Sequence, residues 1–80
     1  QMCCVTNDCC FEISERDVRQ NGSGDWQIIA SGQVLEPFRV GKSPDGRWWR
    51  CACDYHENIG KWVKHTKAHT RCLFVPPFGS

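Results

Sequence analysis

The sequence predicts an all-β fold, a small disulfide-stapled barrel or sandwich of about five short strands. Turn signals recur roughly every 10–15 residues, a spacing that is typical of short strands. The segments between them are rich in aromatic and β-branched residues, which favour strands over helices. Seven cysteines occur among only 80 residues. A domain of this size buries only about 60–65% of its unfolded surface, so we expect cross-links to supplement a thin core.

Three turn clusters divide the chain, at residues 21–25, 43–46 and 57–60. They are composed largely of Asn, Gly, Ser, Pro and Asp, the residues whose side chains or backbone freedom suit tight turns. The predicted strands lie within residues 26–31, 34–40, 47–55 and 70–75, and Trp62-Val63 also favours a strand. Strict alternation over 47–55 predicts one continuous strand, with both Cys51 and Cys53 on the same face.

One segment has helical character. Residues 14–20 begin with Ser14, a good N-cap residue, and Asp17 follows three positions later, as in a capping box. The segment is short and weakly amphipathic. The sequence therefore offers one short helix candidate within an otherwise β-rich chain.

The cysteines are predicted to form the framework of the fold; they are Cys3, Cys4, Cys9, Cys10, Cys51, Cys53 and Cys72. Adjacent cysteines seldom bridge each other, because the short backbone strains the bond geometry. The simplest arrangement ties the three later cysteines to three of the four N-terminal ones. Residues 1–10 would then be pinned to the β body within a single domain spanning residues 1–80. Each bridge would add about 3–4 kcal/mol, while the individual pairings stay open.

An odd number of cysteines leaves one thiol over, and Cys3 or Cys4 is the candidate for joining two copies into a homodimer. Zinc is the rival interpretation, with Cys51, Cys53, Cys72 and the three histidines as possible ligands. The spacing of these residues departs from the usual Cys-x₂₋₄-Cys pattern, and the N-terminal cysteines stay unexplained. We therefore expect neither a metal nor another cofactor.

Cysteine content and charge predict the setting in which the chain acts. Dense disulfides persist in oxidising compartments, so we expect a secreted, extracellular protein. The longest apolar run, residues 73–78, is too short to span a bilayer. Residues 1–36 hold six acids and two bases, a net charge of −4, and residues 37–80 hold eight bases and three acids, a net charge of +5. That asymmetry suits either an anionic partner or pairing of the two halves.

Cations alternate with indoles in two stretches, residues 47–50 and 61–65. Such a mixture suits anionic polymers, stacking on carbohydrates or nucleic-acid binding, while one or two of the tryptophans are expected in the core. Among these partners we do not expect nucleic acid. The candidate partner-binding residues are Arg47, Trp48, Arg50, Lys61, Trp62, Lys64, Lys67 and Arg71. In the first turn cluster, Asn21-Gly22-Ser23 is an acceptor motif for N-glycosylation.

Catalytic motifs are missing from the sequence. No serine lies in a nucleophile motif, and no glycine-rich phosphate loop is present. His56 and Glu57 with Arg47 or Arg50 would be the candidates in a ribonuclease-like site. So small a fold leaves little room for a shaped cleft, so we expect a protein that is not an enzyme.

The Cys3-Cys4 and Cys9-Cys10 doublets, the short chain and the β-rich body resemble the small secreted cysteine-rich proteins of filamentous fungi. That group includes effectors, elicitors and antifungal or killer toxins. The resemblance implies a secreted effector or elicitor that binds a host receptor or cell-wall component and modulates defence, plant defence included. The alternatives are an antimicrobial toxin, whose usual strong positive charge is absent here, and a small secreted ribonuclease or hydrolase.

Overall fold

A computed structural model describes residues 9–77 of the chain, and these residues form nine short strands. The strands are β1 (Cys10–Ile13), β2 (Val18–Gln20), β3 (Trp26–Ile28), β4 (Val34–Leu35), β5 (Val40–Lys42), β6 (Trp48–Cys51), β7 (Cys53–His56), β8 (Lys61–Lys64) and β9 (Cys72–Val75). Within these residues, no helix is long and apolar enough to cross a membrane.

The strands build three small sheets, which confirms the all-β prediction. One sheet has four strands in the order β1-β6-β9-β5, one is a meander of β2, β3 and β4, and one is the hairpin of β7 and β8. All neighbouring pairs are antiparallel except β5 and β9. Residues 9–77 form a small sandwich-like body and no closed barrel.

The predicted strand over residues 47–55 is two strands in different sheets, so the prediction of one continuous strand was wrong. The break falls at Ala52, which is completely buried. The Ala52 N–H donates to the carbonyl of Cys9 (2.8 Å), and its own carbonyl accepts from His65 N–H (3.0 Å). β6 pairs with β1 and β9, whereas β7 pairs only with β8. An alternating pattern cannot reveal such a change of partner, because the alternation continues through it.

The helix candidate at residues 14–20 is a single 3₁₀ turn followed by a strand. The capping interactions exist: Ser14 Oγ accepts from Arg16 N–H (3.2 Å), and Ser14 N–H donates to the Asp17 carboxylate (2.9 Å). The turn covers only Glu15–Asp17 before β2 begins at Val18. Val18 is buried and lies opposite Ile28 in the meander, so tertiary packing overrides the local helix signal.

The core lies between the meander and the four-stranded sheet. Its buried members are Val18, Ile28 and Leu35 from the meander and Leu73 from β9. Trp26 and Trp48 close one side of it with their rings edge to face, 5.5 Å apart at 71°. Since each tryptophan belongs to a different sheet, this pair holds the two layers together.

Two disulfides among the described residues connect the N-terminal doublet to the middle of the chain. Cys10 bonds Cys51, and Cys9 bonds Cys53, over sequence separations of 41 and 44 residues. Cys10 and Cys51 are also directly opposite each other in the β1–β6 ladder. These two bonds join Cys9 and Cys10 to the β body, and the pinning of the whole segment 1–10 stays a prediction.

Cys72 is disulfide-bonded too, although its partner is not among residues 9–77. It lies directly opposite Cys51 in the β6–β9 ladder. The proposed intermolecular bond through Cys3 or Cys4 lies outside the described residues and stays a prediction.

Candidate ligand-binding cleft

The β7–β8 hairpin forms an arm, defined as residues 53–64, that stands apart from the core. Tyr55 lies opposite Trp62 in its register, and the chain reverses at Gly60, whose φ of 63° suits a residue without a Cβ. The Cys9–Cys53 disulfide and the hydrogen bonds around Ala52 join the arm to the body. The 57–60 turn predicted from the sequence is confirmed.

Large hydrophobic side chains are exposed along the arm. Every residue from 54 to 62 is exposed, with Tyr55, Ile59 and Trp62 at 51%, 58% and 50% of their full accessibility. The Tyr55 and Trp62 rings meet edge to face, 5.4 Å apart. An isolated hairpin is marginally stable, and this cross-strand pair supports it. The pair also leaves about half of each ring available to a partner.

Residues 65–71 lead from the arm to β9, and a buried arginine organises this loop. Arg50 donates from Nε to Thr70 Oγ1 (2.6 Å), from Nη1 to the Thr66 carbonyl (2.9 Å) and from Nη2 to the Ala68 carbonyl (2.9 Å). Its guanidinium also lies 5.4 Å from the Phe11 ring centroid. Burial lowers the pKa of Arg50 from the ordinary value of a guanidinium.

The meander and the following 3₁₀ turn, Pro37–Arg39, hold the same loop from the other side. The Gln33 side-chain amide donates to the Thr70 carbonyl (3.1 Å) and accepts from the Thr70 N–H (2.8 Å). Arg39 Nη1 donates to the Arg71 carbonyl (3.3 Å). These bonds span more than thirty residues of sequence and fix the loop to the meander and the 3₁₀ turn.

An open cleft of about 570 Å³ lies where the arm, the loop and the Glu36–Arg39 segment meet. Trp62 and Asp54 line it from the arm, and His69 and Arg71 line it from the loop. The Arg71 guanidinium lies over the Trp62 ring, 4.5 Å from its centroid. The cleft therefore combines an aromatic surface with cationic donors and carboxylate acceptors.

The charges around the cleft are partly neutralised. Glu36 accepts from Arg39 Nε (2.8 Å), and this hydrogen bond lowers the pKa of Glu36. Arg71, by contrast, has no carboxylate within ion-pair distance among residues 9–77. The same holds, within the described chain, for Lys61, Lys64 and Lys67. Arg71 is therefore an unpaired cation within the cleft, and the three lysines add unpaired charge on the arm and the loop.

The structure separates the predicted partner-binding residues into two groups. The members from the second basic stretch lie on the arm and loop; they are Lys61, Trp62, Lys64, Lys67 and Arg71. The members from the first stretch lie in or beside the body. Trp48 packs on Trp26, Arg50 is buried, and exposed Arg47 lies 3.6 Å from Glu12.

Sequence reasoning missed Gln33, Glu36, Arg39, Asp54 and His69, which also line the cleft. Three of them precede the basic stretch by more than twenty residues, so no local spacing could connect them with Trp62. His69 was considered only as a zinc ligand. The contacts depend on long-range topology, which a motif search does not read.

The rival chemistries are not assembled among the described residues. Cys51, Cys53 and Cys72 are disulfide-bonded and are not available as thiolate ligands, and residues 9–77 hold no cluster of three metal-binding side chains. His56 and Glu57 lie near the tip of the arm, whereas the Arg50 guanidinium is occupied with the loop backbone.

The Asn21 side chain lies in the β2–β3 turn. Its Oδ1 accepts from the N–H groups of Ser23 (2.9 Å) and Asp25 (3.0 Å), which makes the turn compact. Ser23 is exposed. Glycosylation at Asn21 stays a prediction.

Comparison with protein-family models, curated proteins and solved structures finds no match to this chain. Function must therefore be argued from the geometry of the cleft itself.

Proposed function

We propose that this chain is a secreted, non-enzymatic binding protein of the effector or elicitor kind, which acts on another organism by engaging a surface component through the arm. The observation that carries the proposal is the exposed Tyr55–Trp62 pair beside the cleft. Trp62 is held in place by Arg71 and Tyr55 and still leaves half its surface open.

Energetic considerations support a binding role for this surface. Tyrosine, tryptophan and arginine are the residue types that dominate binding hot spots. Keeping large rings in water contributes little to folding, so their exposure is easier to explain by a partner than by stability. Disulfide bonding of the described cysteines supports an oxidising, extracellular setting.

The test uses the purified, oxidised protein infiltrated into leaf tissue, with the oxidative burst and cell death as readouts. We expect Trp62→Ala to abolish the response. Ile29→Ala and His56→Ala are the controls, since both residues are exposed and neither lines the cleft. They are expected to retain the response.

Other outcomes would redirect the proposal. A Trp62→Ala protein as active as the parent would contradict a binding role for the arm. Loss of the response in His56→Ala alone, with the fold retained, would support the hydrolase alternative. Growth inhibition of fungi or bacteria by the parent protein would instead support the antimicrobial toxin.

A further inference from the structure

We propose that the ligand of the cleft is an acidic polysaccharide, a chain of uronic acid residues, with one sugar ring on Trp62 and carboxylates on Arg71 and the neighbouring lysines. This inference rests on the proposed binding function and names the class of ligand that the cleft would take.

The first argument is charge. Residues 58–71 contain three lysines, one arginine and no acid. None of these four cations has an ion-pair partner among residues 9–77. Arg71 lines the cleft itself, and the three lysines lie on the arm and the loop that meet there. A run of cations without an acid is complementary to a polyanion. A single phosphate or carboxylate would use only one or two of them.

The second argument is the relation between Trp62 and Arg71. The C–H face of a pyranose ring is apolar and packs on an indole face. A uronic acid carries its carboxylate at the edge of that ring. The Arg71 guanidinium lies 4.5 Å from the centre of the Trp62 ring, so it places paired N–H donors beside the stacking surface. A guanidinium matches a carboxylate with two parallel hydrogen bonds.

The third argument concerns hydroxyl groups. Besides its cations, the cleft presents the oxygens of Asp54, Glu36 and Gln33. Sugar hydroxyls can donate hydrogen bonds to these acceptors, whereas a DNA phosphodiester backbone has no donor to offer them. Proteins that bind single-stranded nucleic acid use several aromatic platforms along a basic groove. This cleft has one indole platform, so the polysaccharide is the better fit.

The experiment titrates the oxidised protein with an oligogalacturonide, using calorimetry and the indole N–H signals in NMR spectra. A fully methyl-esterified oligomer of the same length keeps the sugar rings and removes the charges. We expect binding of the acidic oligomer and at least about tenfold weaker binding of the ester. Affinity should fall as salt is raised, because salt screens exposed charges over about 10 Å at 0.1 M.

Variants locate the site. Trp62→Ala and Arg71→Gln should each weaken binding by about tenfold or more. Ile29→Ala and Arg16→Gln, an exposed hydrophobic residue and an exposed cation that do not line the cleft, should leave the affinity unchanged. Binding that survives in both cleft variants would overturn the proposal, as would equal binding of the two oligomers.

A third probe, an oligothymidylate, tests the polyanion alternative. Tighter binding of the oligothymidylate than of the oligogalacturonide would overturn the polysaccharide assignment in favour of nucleic acid. Failure of this inference is distinguishable from failure of the proposed function. If tissue responses depend on Trp62 while no oligogalacturonide binds, the ligand class is wrong and the binding role stands.

Discussion

Two aromatic pairs of nearly the same geometry have different surroundings in this molecule. Trp26 and Trp48 meet at 5.5 Å and 71°, and Tyr55 and Trp62 meet at 5.4 Å and 64°. The first pair joins two sheets beside the buried core. The second joins two strands of a single hairpin and remains half exposed. Ring geometry alone therefore does not indicate what an aromatic pair does.

The difference lies in what each pair excludes from water. Removing a ring from the inter-sheet pair would open the body, whose core has only four fully buried aliphatic residues in the described chain. Removing a ring from the arm pair would expose little new surface, because both rings are already in contact with solvent. We infer that the body pair carries stability and the arm pair carries recognition.

The largest expected effect concerns the two disulfides of the described chain, of which Cys10–Cys51 lies within the body and Cys9–Cys53 joins the arm to the body. The Cys10→Ala/Cys51→Ala and Cys9→Ala/Cys53→Ala double variants each open a loop of similar length, 41 and 44 residues. In the chain-entropy model each variant loses about 4 kcal/mol of unfolding free energy. Urea unfolding, monitored by tryptophan fluorescence, measures the loss of unfolding free energy in both variants.

A much smaller loss for Cys9→Ala/Cys53→Ala would sharpen the comparison. It would mean that the arm does not unfold in the same cooperative transition as the body. Hydrogen exchange at the Val63 amide, which lies in β8, would then report the arm separately.

The next effect concerns the body pair. Trp48→Ala should lower the unfolding free energy by about 3 kcal/mol, less than a fully buried tryptophan would lose, because Trp48 is half-buried. Thermal unfolding checks the magnitude. A loss below 1 kcal/mol, on the scale of a surface substitution, would contradict the assignment of this pair to stability.

The buried arginine behind the loop is expected to have an intermediate effect. Arg50→Met removes three hydrogen bonds to the 65–71 loop and leaves the Ala68 carbonyl without this donor. We expect a loss of about 2 kcal/mol and faster hydrogen exchange at the Thr70 amide. Exchange at Ile28, in the meander, is the internal reference. Unchanged exchange at Thr70 would show that the loop is positioned without Arg50, through Gln33 and Arg39.

The sequence predicted the class of the fold and the role of the disulfides better than it predicted which strands pair with each other. Turn chemistry located the 57–60 reversal, and the rule that adjacent cysteines seldom bridge each other indicated that Cys9 and Cys10 bond to later cysteines. The break at Ala52 could not be predicted, because the alternation of side chains continues through it. The capping box at Ser14 was read correctly, but packing of Val18 ended the helix after one turn.

The site was predicted only in part for a related reason. Interleaved cations and indoles predicted that residues 61–71 hold a binding surface, and the structure places Trp62 and Arg71 together. The same pattern at residues 47–50 overlaps strand β6, where Trp48 packs on Trp26 and Arg50 is buried. Composition could not separate the two stretches, since burial depends on sheet partners far away in the sequence.

The arm pair should contribute little to stability. Trp62→Ala is expected to lower the unfolding free energy by about 1 kcal/mol, mainly through loss of the cross-strand contact with Tyr55. Ile59→Ala, at the tip of the arm, is the control and should change it by less than about 0.5 kcal/mol. A loss of 3 kcal/mol in Trp62→Ala, equal to that of Trp48→Ala, would erase the distinction between the two pairs.

The smallest expected effect concerns a third aromatic residue, Trp49, whose indole N–H is hydrogen-bonded to a carboxylate. Trp49 Nε1–H donates to both oxygens of Asp45, at 2.9 and 3.1 Å, and this bond is the main cause that lowers the pKa of Asp45. A lowered folded-state pKa contributes stability that is present above the unfolded value of about 3.9 and is lost as the pH falls through the folded value. The Trp49 indole N–H signal should therefore move in NMR spectra at a pH below the unfolded value of about 3.9, and the Asp45→Asn variant should abolish that movement. Movement centred at or above pH 4 would show that Asp45 does not hold the ring. In that case Trp49 would be anchored by packing alone, as Trp48 is.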